Sequence, residues 1–237
     1  MNAFEQTGTW AKKLKIPCTM KDAMTSTNDV AKEEAFQTHD PLKLYLAQHQ
    51  TEGRGRFDRT WEDEGHGGFL LSTWSFDVSR SPSPMVTPRI GLMLVESFSK
   101  IFPEGSWSLK APNDILLNGK KVAGILTEVV SKGDQFRLIV GLGVNVSKSP
   151  KALKTATSLT EGLGEVSTDQ WSLFLKELKN GLEHAARMSH MSKLEPSECS
   201  QILDWLNENP NLKEQYCEVN AEGQLVYDGQ VLNWMEL

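Results

Sequence analysis

The sequence predicts an α+β fold, and three observations carry that prediction. Residues 107–146 read as successive strands separated by short turn signals. Two more strand-like runs, Leu44–Gln48 and Phe69–Phe76, lie earlier and flank a long segment with no periodicity. Capped amphipathic patterns stand apart from those strands, around residues 87–102, 168–182 and 196–206. Strands in runs with helices segregated from them are the α+β pattern. With 237 residues the chain can bury a full core, as one large domain or one domain with a small appendage.

Composition narrows the function classes. The net charge of -6 leaves no basic domain, which argues against a protein whose main partner is nucleic acid, although a local basic pocket remains open. No run of 18 apolar residues exists, so no transmembrane helix and no membrane partner are expected. Met1–Gln6 lacks an apolar signal core. Cys18, Cys199 and Cys217 are odd in number, far apart and without CxxC spacing. A reduced, cytoplasmic chain with no structural zinc is the expectation. The five histidines show no metal spacing, and no Gly-Lys-Ser/Thr follows a glycine run, so a P-loop is absent.

In chain order, residues 1–16 are ambiguous, with Trp10, Leu14 and Ile16 offering one packing face. Thr25-Ser26-Thr27-Asn28-Asp29 is a dense run of helix-capping residues before the helical Val30–Phe36. It either satisfies orphan N–H groups alone or also presents polar side chains to a ligand. Asp40-Pro41 ends that helix. Thr87-Pro88 reads as cap and first helical position, with Ile90, Leu94, Phe98 and Ile101 on one face. Asn118-Gly119, between Ile115–Leu117 and Lys121–Leu126, is a two-residue hairpin signal. Phe136–Val146 is a buried strand whose Gly141 and Gly143 suggest close approach by a ligand or another backbone. Ser167-Thr168 caps a helix with Trp171, Phe174, Leu175, Leu178 and Leu182 inward. A helix follows Pro196, and Asp228-Gly229 joins a last short hairpin.

The most informative stretch is Gln50–Gly68, between two good strands. Such long aperiodic loops are usually functional lids or disordered. It carries Arg54, Arg56 and Arg59 among Gly53 and Gly55. Glycine lets backbone approach a ligand, and arginine supplies permanent charge in a planar fork, so an anion such as a phosphate is the natural guest. The acids Glu52, Asp58, Glu62, Asp63 and Glu64 fit an ordinary solvated loop as well.

Four islands together resemble the catalytic domain of biotin–protein ligases. They are Ser26-Thr27-Asn28; Gln50 with Gly53-Arg54-Gly55-Arg56 and Trp61; Lys110-Ala111-Pro112-Asn113-Asp114 with Lys121-Val122-Ala123-Gly124-Ile125-Leu126; and Gly141-Leu142-Gly143-Val144-Asn145. The resemblance covers residues 20–165 and is carried by the pair of the second and third islands. It implies a mixed β-sheet flanked by helices, related to class II aminoacyl-tRNA synthetases, with a short β-rich C-terminal appendage. Residues 1–190 would form the biotin/ATP-binding catalytic domain and 191–237 a short helix plus β-hairpin, a degenerate or truncated C-terminal domain. The implied reaction joins biotin and Mg2+-ATP into biotinyl-5′-AMP, then transfers the biotinyl group to one lysine of a biotin carboxyl carrier domain of acetyl-CoA carboxylase or a similar enzyme. The magnesium would be carried by ATP. The alternatives are a lipoate or other acyl ligase of the same superfamily, and a non-catalytic biotin or nucleotide sensor.

By the same resemblance Ser26, Thr27, Asn28 and Gln50 would face biotin's ureido ring, with Trp61 walling the bicycle and Gly53, Gly55 and Gly124 admitting it. Lys121 would be catalytic, its ammonium held between the carboxylate and the α-phosphate. Lys120 competes for that role, and the alternation of a strand favours Lys121. Arg56 would be catalytic as part of a lid that closes with Arg54 over the adenylate, and Arg59, Lys110, Asn113 and Asn145 would contact the nucleotide. The chain departs from the family at Ala111, where tryptophan is usual, at Asp58, where glycine is usual, and in its short C-terminal segment. Too few residues precede Ser26 for a helix-turn-helix domain, so the expectation is no DNA binding and a monomer or weak homodimer.

Overall fold

The computed structural model describes residues 1–57, 59–63 and 67–234. Seven strands make one sheet: β1 (Cys18–Met24), β2 (Leu42–Gln50), β3 (Phe69–Val78), β4 (Trp107–Lys110), β5 (Asp114–Leu117), β6 (Lys120–Lys132) and β7 (Gln135–Asn145). Their order is β1-β2-β3-β7-β6-β5-β4. The β1–β2 pair is parallel and the other pairs in this sheet are antiparallel, so the sheet is mixed. A parallel pair needs a crossover, and α2 (Thr27–Glu33) supplies it. The sequence reading did not find β1. It is an edge strand, mostly exposed, so Cys18–Met24 lacks the apolar alternation that marks a half-buried strand.

Helices α1 (Ala3–Lys13), α3 (Val86–Ile101), α5 (Thr168–Arg187) and α6 (Pro196–Asn207) pack with one face of the sheet in a single large core. Leu44, Leu46, Leu138, Val140, Leu142 and Val144 point into it. Phe98 is its centre, stacked on Trp107 at 4.8 Å and Phe174 at 4.5 Å between ring centroids. Trp171, Phe174, Leu175, Leu178 and Leu182 are all buried, and Ser167 with Gln170 makes a reciprocal capping box at the start of α5. Helix α3 begins at Val86, two residues before the position expected from Thr87-Pro88, because Met85 stands at the cap and the Ser83 hydroxyl accepts its N–H.

The opposite face is thinner. Tyr45 and Ile139 meet Ala31 of α2, while Ala47, Phe69 and Leu71 meet Trp61 from the central loop. Gly141, Gly143 and Asn145 alternate with the core-facing residues of β7 and therefore lie on this second face. Asn118 and Gly119 both have positive φ, 51° and 75°, as a tight hairpin between β5 and β6 requires. A short helix, α4 (Leu159–Leu163), interrupts the stretch after β7. The C-terminal strands β8 (Glu218–Val219), β9 (Gln224–Tyr227) and β10 (Gln230–Asn233) form a small antiparallel sheet. Such a sheet is marginal alone, and it leans on the rest: Val219, Leu225 and Trp234 join the main core.

Candidate active site

A cavity of about 1080 Å³ opens on the thin face of the sheet. The start of α2, the 54–61 segment, the turn before β5 and the first half of β6 meet there, with Leu206 and Tyr216 from the C-terminal region completing a wall. Arg56 and Lys121, expected to converge on one reacting group, both line it.

At one end stand Ser26, Thr27, Asn28 and Gln50. Ser26 is the cap of α2, yet its side chain makes no capping bond. The cap comes from the end of β2 instead: Gln50 Oε1 accepts from the Thr27 N–H at 2.7 Å and from its hydroxyl at 3.1 Å. Thr73 Oγ1 lies 2.8 Å from Thr27 Oγ1 and 2.6 Å from Asn28 Oδ1. The Asn28 amide donates to Leu126 O and, at 2.8 Å, to Glu128 Oε2. This end is therefore a preassembled polar network rather than a set of loose groups. Thr73, Asp29 and Glu128 were not singled out from the sequence. The Ser72-Thr73 pair inside the buried strand Phe69–Phe76 is the sequence signal that could have found Thr73.

The glycines of β6 and β7 line the cavity and also seat protein side chains closely. A methyl on Gly143 would sit 2.4 Å from Trp61 Cζ2, and one on Gly124 would sit 2.8 Å from Trp61 Cζ3. One on Gly141 would sit 2.4 Å from Asn28 Oδ1. These glycines admit protein side chains, and the Trp61 indole lies flat enough against the sheet to form the cavity floor. Lys121 Nζ is 5.3 Å from the Trp61 ring centroid and 2.6 Å from Asp114 Oδ1. Its backbone is bracketed as well: Lys121 N–H donates to Thr155 O and Lys121 O accepts from the Thr157 N–H, both at 2.9 Å. Lys120 also reaches the cavity, from an exposed position at the hairpin.

Residues 53–57 and 59–61 face each other as the two arms of a small hairpin, the 53–61 hairpin. Arg54 and Thr60 make an antiparallel bridge, Gly55 N–H donates to Arg59 O at 2.6 Å, and Trp61 N–H donates to Gly53 O at 2.9 Å. Arg56 lies in the cavity with its guanidinium 4.7 Å from the Phe57 ring. Burial, then the charge of Arg59, pushes the Arg56 pKa down, against the pull of Asp114. Two cations are thus held close beside one carboxylate, an arrangement that favours an incoming anion. Asp58 lies outside the described residues.

Several expected site residues stand elsewhere or do something else. Arg54 borders the cavity but is engaged by Asp29 and Glu128. Gly53 faces a second cavity of about 430 Å³ beyond Trp61, beside Asp63 and Lys151. Asn145, expected at the nucleotide, is buried off the main cavity wall, and its amide donates to Thr157 O at 2.9 Å. The end of β7 turns inward there to fasten the segment that brackets Lys121. Lys110 and Asn113 do line the cavity, Lys110 at the exposed rim and Asn113 tied to Ile125 O at 2.6 Å. Beside Ala111, Trp234 Nε1 donates to Pro112 O at 2.8 Å, so the C-terminal segment steadies the turn before β5.

Among the described residues no group of three or more His, Cys, Asp or Glu side chains could hold a metal ion. Asp114 is the described carboxylate on the cavity wall, and Lys121 already pairs with it. No helix among the described residues is long and apolar enough to cross a membrane.

Comparison with known proteins agrees with this architecture. The profile of the "Biotin/lipoate A/B protein ligase family" matches residues 21–145. "Bifunctional ligase/repressor BirA" of Bacillus subtilis is 36% identical over 151 residues, covering 61% of this chain and 46% of that protein. "Biotin--[acetyl-CoA-carboxylase] ligase" of Mycobacterium tuberculosis is 32% identical over 181 residues, covering 73% of this chain and 59% of that protein. The chain spans about half the length of the curated relatives it matches. Among solved structures, "Biotin protein ligase from Aquifex aeolicus in complex with biotin and ATP" superposes with a TM-score of 0.67 at 24% identity, covering 91% of this chain and 94% of that one, which establishes the shared fold.

Proposed function

We propose, from the premise that this chain belongs to the biotin/lipoate A/B protein ligase family, that it is a biotin–protein ligase acting on a biotin carboxyl carrier domain. One observation carries the reading: Arg56 from the 53–61 hairpin and Lys121 from β6 reach the same cavity as the Ser26, Thr27 and Gln50 cluster. The relatives named as biotin ligases point the same way.

The chemistry joins two anions, which is why cations must converge. A carboxylate oxygen of biotin attacks the α-phosphorus of ATP, and the bond to the β-phosphate oxygen breaks to release pyrophosphate. The target lysine amine then attacks the acyl carbon, loses a proton, and AMP leaves with the acyl oxygen. Lys121, held by Asp114, Trp61 and two backbone bonds, stabilises charge where carboxylate and α-phosphate meet. Arg56 and Arg59 balance phosphate charge, and Lys110 and Asn113 border the nucleotide end. Magnesium would be carried by the ATP phosphates, neutralising part of their charge. Trp61 supplies the apolar floor for the bicycle.

Biotin is favoured over lipoate by the polar end of the cavity. Its ureido ring has two N–H donors and a carbonyl to meet Ser26, Thr27 and Gln50, whereas a dithiolane ring has no hydrogen-bonding group to offer them. Pyrophosphate exchange into ATP, run with biotin and with lipoate, tests this. Exchange with biotin, followed by a one-biotinyl mass shift on a carrier domain, is the expected result. Exchange with lipoate alone overturns the substrate, and tight biotin binding without AMP formation overturns the enzyme.

A further inference from the structure

We infer that Arg54 is not an anion-binding residue: it is the pivot that pins the 53–61 hairpin over the cavity, and Asp29 and Glu128 are the positioning residues that hold it. Its consequence for catalysis rests on the ligase reading above; the pinning itself does not.

Arg54 sits at the base of the hairpin, where it bridges Thr60. Its Nε donates to Asp29 Oδ2 at 3.1 Å and its Nη2 to Asp29 Oδ1 at 2.5 Å, a two-pronged grip on one carboxylate. The same Nη2 lies 3.2 Å from Glu128 Oε2. Lys32 closes the cluster, 2.8 Å from Glu128 Oε1 and 3.0 Å from Asp29 Oδ1. Two cations thus face two carboxylates, so the cluster carries no surplus positive charge for a phosphate. Burial opposes ionisation of both acids, but hydrogen bonds from Lys32 and Arg54 to Asp29, and from Lys32 and Asn28 to Glu128, hold both below their ordinary range.

The placement makes the cluster a joint between three parts of the site. Asp29 and Lys32 belong to α2, Glu128 to β6 and Arg54 to the hairpin. Arg56, the cavity cation, is two residues beyond the pivot. Glu128 Oε2 also accepts from Asn28, whose Oδ1 is 2.6 Å from Thr73 Oγ1. The carboxylate that holds the hairpin therefore also orients the polar end of the cavity. A hairpin anchored this way shields a reactive acyl-adenylate from water without its anchor touching the reacting atoms.

The test uses Asp29→Asn/Glu128→Gln, which leaves every arginine in place, beside Arg54→Met and Arg54→Lys. Hydrogen exchange of the 53–61 peptide, read by mass spectrometry on the full chain without ligand, should quicken about tenfold in the double variant and in Arg54→Met, the scale of a partly exposed ion-pair network. Arg54→Lys should recover part of the protection. The same exchange rate in wild type and double variant overturns the pivot. A second readout is release of acyl-adenylate into solution, expected to rise in both variants together with the KM for ATP unmoved. An ATP KM raised by Arg54→Met but not by the double variant assigns Arg54 to phosphate binding and overturns the proposal. If wild type forms no adenylate with biotin or lipoate, the ligase reading falls, and the exchange measurement still decides the pivot.

Discussion

Gly143→Ala tests whether the seat of Trp61 matters. The added methyl would lie 2.4, 2.6 and 2.8 Å from three indole carbons, against the 3.5–4.0 Å of normal carbon contacts. The far side is β7 backbone, so the ring must move by about 1 Å or more, taking the floor of the cavity with it. Overpacking of this kind costs about 1–3 kcal/mol. For a chain of this size that lowers Tm by about 2–12 °C. Lys121 loses a ring whose centroid is 5.3 Å away, worth about 0.5–1 kcal/mol at a half-exposed lysine. The larger effect is geometric: a misplacement near 1 Å at a reacting centre costs about a hundredfold. Adenylate formation should therefore fall by about ten- to a hundredfold while the circular dichroism stays native. Gly91→Ala is the control, because its methyl would meet nothing closer than Leu109 at 3.7 Å. Inside α3 it should raise stability by about 0.5–1 kcal/mol and leave adenylation alone. Wild-type Tm and wild-type adenylation in Gly143→Ala would refute the indole seat.

Lys121→Ala should abolish adenylation in a folded protein; undiminished turnover would transfer the role to another cavity lysine such as Lys120. Arg56→Gly should release adenylate and label bystander proteins, and unchanged labelling selectivity would remove Arg56 from the closure of the site. Arg89 is 1% exposed and holds Glu198 with three carbonyls, those of Met188, Met191 and Lys193. Arg89→Met strands a poorly solvated charge and should cost about 3–5 kcal/mol, read as a Tm drop of about 6–20 °C; a drop under about 2 °C would show that water replaces it. Asp29 and Glu128 are held below their ordinary values of 3.8 and 4.5, so their stabilisation is complete above those values and is lost as pH falls through the lowered ones. The Tm gap between wild type and Asp29→Asn/Glu128→Gln should close on acidification from pH 6 toward 3, and a gap that persists would show the carboxylates are not the source.

Much of the fold was legible because most elements carry their own signal. The face of α5, the Asn118-Gly119 turn and the Asp228-Gly229 turn depend on neighbours in sequence, and the structure has them as read. What escaped depends on neighbours in space. β1 is a strand because β2 lies beside it, not because of its own pattern. The division near residue 190 came from the family resemblance, and Arg89 and Trp234 bond across it to Glu198 and Pro112.

The site shows the same division at finer scale. Residue type pointed to the arginines of the glycine-rich stretch, and the family resemblance named Arg56, Lys121, Gln50 and Trp61. Neither could say that Arg54 is engaged within the protein, because that depends on carboxylates far away in the chain. Arg54 and Arg56 look equivalent in Gly53-Arg54-Gly55-Arg56, yet Asp29 lies 25 residues before Arg54 and Glu128 74 after it. Arg56, two residues further along, lines the cavity. Charge neutralised around Arg54 by Asp29 and Glu128 leaves Arg56 and Arg59 as the arginines of this segment that face the cavity beside Lys121 and Asp114.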